Sequence, residues 1–148
     1  MAVLTNTAYR QMKAQSVSQI PNWYSVTTQN TILVYSGTMP AINSGASFNL
    51  ATYASQLLVG FNNYSLGAIR TSNYIAFATP PGAATATATG TAGWVVMQTG
   101  ITSYTTGSTS VYMVGEPSLT NDNGLIQLST LSIVSGQSVT ALSLYLAF

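Results

Sequence analysis

The stretch AATATATGTAGWVV, Ala83 to Val96, decides how this chain is to be read. Thr85, Thr87, Thr89 and Thr91 alternate with Ala and Gly, and Trp94 then opens an apolar run. Strict alternation marks a strand with two unlike faces. No side chain in it is an acid, a base or a strong nucleophile. The pattern therefore predicts that the threonines decorate a solvent or subunit face of a strand. The four threonines also suggest a regular Thr-x-Thr array of the kind that faces ice, but that role wants parallel copies and the sequence holds no such repeat.

Working outward, other segments read the same way. TILVYS (Thr31–Ser36) is β-branched and aromatic, and SGTMP stops it. LLVGF (Leu57–Phe61) reads as a buried strand closed by a turn at Asn62-Asn63, and SNYIAFA (Ser72–Ala78) as a strand stopped by Pro80-Pro81-Gly82. GWVVMQ, TSVYMVG, GLIQLS and the closing SVTALSLYLAF complete the set. In the last of these, Leu142, Leu144, Leu146 and Phe148 share one face and Ala141, Ser143, Tyr145 and Ala147 the other, so the leucines are expected in the core with Tyr35 and Trp94. About eight short strands separated by turn residues predict a mainly β fold, a single antiparallel β-sandwich of jelly-roll-like or Ig-like kind.

Only the N-terminal segment looks helical. Thr5, Asn6 or Thr7 can cap it, Leu4, Ala8 and Met12 recur every four residues, and Pro21 ends it. The expected organisation is an N-terminal arm or helix over 1–20 and one β domain over 21–148. Leu4, Tyr9 and Met12 on the arm, with Trp23 and Tyr24 just after the proline, are the expected contact surface. The arm either docks on a neighbouring subunit or plugs its own domain.

Composition narrows the function more than any motif does. Of 148 residues, three are basic and two acidic, a charged fraction of 3% for a net charge of +1. Soluble domains carry about 25%. Repulsion between copies is almost absent, so the surface suits a protein packed against copies or partners. Clustered basic residues for phosphate are missing, which argues against nucleic acid. There is no His and no Cys, so the common proton shuttles and metal ligands are lacking and no cofactor, metal site or enzymatic activity is expected. Glu116 and Asp122 are the only carboxylates; they read as a solvated strand end and a turn former rather than a glycosidase pair. The N-terminus lacks the basic and apolar regions of a secretory signal, and no apolar run approaches a spanning helix, so no membrane partner is expected. Two other classes stay open: a glycan-binding adhesin resting on Trp23, Tyr24 and the other tyrosines, and a small outer-membrane β-barrel suggested by the terminal Phe148.

Three stretches together resemble a family of tailed-bacteriophage virion proteins. Tyr35, Gly37, Pro40 and Ala41 match a "Y-x-G-x-x-P-A" element after an N-terminal helix. Ala88, Gly90, Thr91, Ala92, Gly93 and Trp94 match "A-x-G-T-A-G/T-W". Ile133, Gly136, Gln137, Val139, Thr140, Ser143 and Leu144 match "I-x-x-G-Q-x-V-T-x-x-S-L". The order agrees from near residue 5 to the end. Where the family often carries an Arg after the Trp, this chain has Val95-Val96-Met97-Gln98. The resemblance implies a capsid cement or decoration protein, without catalytic residues, assembled in the host cytoplasm and placed on the phage head surface. Its implied partners are itself, as a homotrimer, and the major capsid protein. A tail, collar or fibre-base component is the alternative within the virion.

Overall fold

The computed structural model describes residues 3–5, 30–40, 50–71, 74–79, 82–99, 113–119, 126–144 and 146–147. It is mainly β. The strands are β1 (Val3–Thr5), β2 (Asn30–Ser36), β3 (Leu57–Thr71), β4 (Tyr74–Thr79), β5 (Gly82–Thr85), β6 (Gly90–Thr99), β7 (Met113–Gly115), β8 (Pro117–Ser118), β9 (Ile126–Leu128), β10 (Ser132–Ile133), β11 (Ser138–Leu144) and β12 (Leu146–Ala147). They fall into two separate ladders and form no closed barrel. The larger runs β1-β7-β6-β2-β3-β4-β12, with β10 on the start of β6, and the smaller runs β5-β11-β9-β8. All pairings are antiparallel except β8 with β9, which is parallel and departs from the expected all-antiparallel pattern.

Two apolar clusters hold the sheets. The first lies between them: Ile32, Val34, Val59, Phe61, Val95 and Met97 from the large sheet meet Ile126, Leu128, Val139 and Ala141 from the small one. The second lies on the opposite face of the large sheet and contains Leu33, Tyr35, Leu50, Trp94, Val96 and Val114. Alternate residues of β2 and β6 thus enter different clusters. This explains why ILVY and WVVM are continuous apolar runs: a strand covered on both faces has no position left for a polar residue to face water.

A 3-10 helix, Leu50–Gln56, caps the second cluster. In a 3-10 helix every third side chain eclipses. Leu50 is buried, Tyr53 and Gln56 are half-buried, and Ala51, Thr52, Ala54 and Ser55 are exposed. The spacing of Leu50 and Tyr53 in LATYASQ carries this helix, which the strand-and-turn reading did not anticipate.

Several expectations are corrected. The Ala83–Val96 stretch is two strands, not one: β5 belongs to the small sheet and β6 to the large, and residues 86–89 cross between them. Asn62-Asn63 is no turn, because β3 runs through it for 15 residues. The register moves from Ile32↔Phe61 to Asn30↔Tyr64 there, so one β2 residue faces two on β3. The asparagines mark a bulge that bends β3 from its pairing with β2 toward its pairing with β4. Val3–Thr5, with Leu4 at its centre, is a strand that precedes the expected helix. Val and Thr favour extended backbone, and pairing with β7 supplies hydrogen bonds without the cost of nucleating a helix. The expected helix, with Tyr9 and Met12, lies outside the described residues.

At Leu142 the closing strand departs from its expected facing. Val139 and Ala141 are buried, whereas Leu142 is 45% exposed. The small residue wins the inner face because β11 lies between β5 and β9 directly beneath the large sheet. The ladder with β9 is irregular between Ala141 and Ser143, which places Leu142 at a bulge. Leu144 and Leu146 are held by backbone pairing to Ile126 and Ile75.

Candidate functional site

The crossover at 86–89 is where the molecule's polar surface and its tightest packing meet. Ala86 is buried and Ala84 and Ala88 are half-buried against the inter-sheet core, while Thr85, Thr87, Thr89 and Thr91 are exposed. Small inward residues let the backbone run close to both sheets. The Ala86 amide donates to the Gln137 carbonyl at 2.8 Å, and the Gly136 amide returns a bond to the Ala86 carbonyl at 2.8 Å. On the other side, the Thr87 amide donates to the Leu58 carbonyl at 2.8 Å and its hydroxyl to the same oxygen at 3.2 Å. A short segment leaving one ladder for another must satisfy its backbone groups, and here β3 and the 134–137 turn do so.

The threonine row is stitched into the chain rather than presented as a free array. Thr89 Oγ1 accepts a bond from the Ser135 amide at 3.0 Å, and Ser135 Oγ donates to the Thr87 carbonyl at 3.4 Å. Thr91 pairs with Ser132 in the β6–β10 ladder. With Ser135, Gly136 and Ser138 also exposed, the result is a hydrated, hydroxyl-bearing face without a charged group among those residues.

Farther along β6 lies a glycine contact. Tyr35 pairs with Trp94 but Ser36 pairs with Ala92, so Gly93 is an extra residue in β6. A Cβ at Gly93 would overlap the Gly37 carbonyl oxygen, and Gly37 itself has a φ of +82°. A side chain at Gly93 requires the backbone to move, and one at Gly37 is strained by the positive φ. The contact sets Trp94: its indole stacks on Tyr35 with centroids 4.3 Å apart and planes 13° apart, and Tyr53 meets it edge-on at 5.1 Å. Trp94 Nε1 donates to the Ser36 carbonyl at 3.0 Å. Tyr35 and Trp94 are both fully buried. A stacked pair of this kind adds about 0.5–1.5 kcal/mol beyond its burial.

At the far end of the same two strands, Thr31 and Gln98 are buried opposite each other, and Thr31 Oγ1 donates to Gln98 Oε1 at 2.9 Å. Their positions flanking ILVY and WVVM were the only available signal.

The remaining expected residues divide. Leu4 is on the outer strand of the large sheet, opposite Val114. Trp23 and Tyr24, like Tyr9 and Met12, lie outside the described residues. Glu116 is exposed at the β7–β8 link; Asp122 lies outside the described residues. Among the described residues no group of three or more His, Cys, Asp or Glu side chains comes together. No helix among them is long and apolar enough to cross a membrane. Among the described residues, the exposed large apolar side chains are Leu119, Val134 and Leu142.

No family model, curated protein or solved structure matches this chain.

Proposed function

We propose that the chain is a structural subunit of a phage virion, a capsid cement or decoration protein that binds the outer head surface and holds capsomers together without catalysis. The observation that carries this is the near-absence of charge on a β scaffold with an exposed hydroxyl face: five charged residues in 148, and Thr85, Thr87, Thr89 and Thr91 all turned outward. Such a surface gives copies no electrostatic reason to stay apart. Many modest uncharged contacts repeated over a shell then sum to strong attachment.

The resemblance adds a spatial argument. Gly37 of the first shared element touches Gly93 of the second. Ala86, just before the second element, is hydrogen-bonded to Gly136 and Gln137 of the third. Elements that are far apart in sequence thus meet in the fold. The two sheets sharing one apolar layer support a β-sandwich, jelly-roll-like or Ig-like. A tail, collar or fibre-base role uses the same scaffold and differs in copy number per particle.

Light scattering of the purified chain at low and high salt tests the reading. The expected result is a homotrimer whose mass does not change with salt, since few ion pairs are there to be screened, and which sediments with phage heads when mixed with them. A monomer at every concentration that leaves heads bare sinks the proposal.

A further inference from the structure

We draw no further inference here: the strongest candidate, the outer face of the small sheet where Thr85, Ser138 and Leu142 are exposed, is an unpartnered sheet face and nothing in the structure shows what covers it.

Discussion

β2 and β11 are both seven-residue strands, and both look apolar enough to be core. They are not equivalent. β2 is buried from Thr31 to Tyr35 on both faces, because the small sheet covers one and the 3-10 helix helps cover the other. β11 is covered on one side, so Val139 and Ala141 face inward and Leu142 faces out. Hydrophobicity along a strand reports how many of its faces are covered. It does not say which of the two alternating sets of residues takes the covered face. In β11 the inner positions had to be compact, and an Ala won over a neighbouring Leu.

The strongest way to break the two-faced arrangement of β2 and β6 is Gly93→Ala. The added methyl meets the Gly37 carbonyl, and backbone cannot yield as a side-chain tip does. The expected outcome is loss of the native fold, seen as a missing cooperative transition in urea followed by circular dichroism. Trp94→Ala should come next, costing about 3–5 kcal/mol, with Trp94→Phe costing less while losing the bond to Ser36. If Trp94→Ala melts like the parent, the second cluster contributes little and β2 is in effect a one-faced strand.

A finer test separates polar from apolar burial in β2. Thr31→Val removes a buried donor from Gln98 and should cost about 1–3 kcal/mol, whereas Thr31→Val with Gln98→Leu should recover much of that loss. Additive effects of Thr31→Val and Gln98→Leu would mean the pair is not coupled. On β11 the prediction is an inversion of hydropathy logic. Ala141→Leu should destabilise by about 1–3 kcal/mol through overpacking, and Leu142→Thr should change stability by less than about 0.5 kcal/mol. The opposite ranking would put Leu142 in the core and return the closing strand to its simple alternation.

Much of the β framework was legible. TILVYS, GWVVMQ and the Pro80-Pro81-Gly82 break fall on β2, β6 and the β4–β5 boundary, because β-branched runs and proline act through local sterics. Asn62-Asn63 was misread because the same residues serve turns and bulges, and only the partner strand distinguishes them. The role of Gly93 was invisible, since its constraint is the carbonyl of Gly37, which is far from it in the chain. The candidate site was legible in chemistry rather than in place: the missing acids, bases and charges restrict the function whatever the fold, while the meeting of the 86–89 crossover with the 134–137 turn needed both sheets in hand.

The sequence by itself determined that this is a charge-poor, mainly β chain with a mute threonine face, because composition and two-residue periodicity are local properties. Only the tertiary structure decided that the Ala83–Val96 stretch joins two sheets, that Trp94 belongs to a second core beneath a 3-10 helix, and that Val3–Thr5 closes a sheet edge. Each of those depends on which backbone lies alongside, and pairing between distant segments is chosen by the packing of the whole.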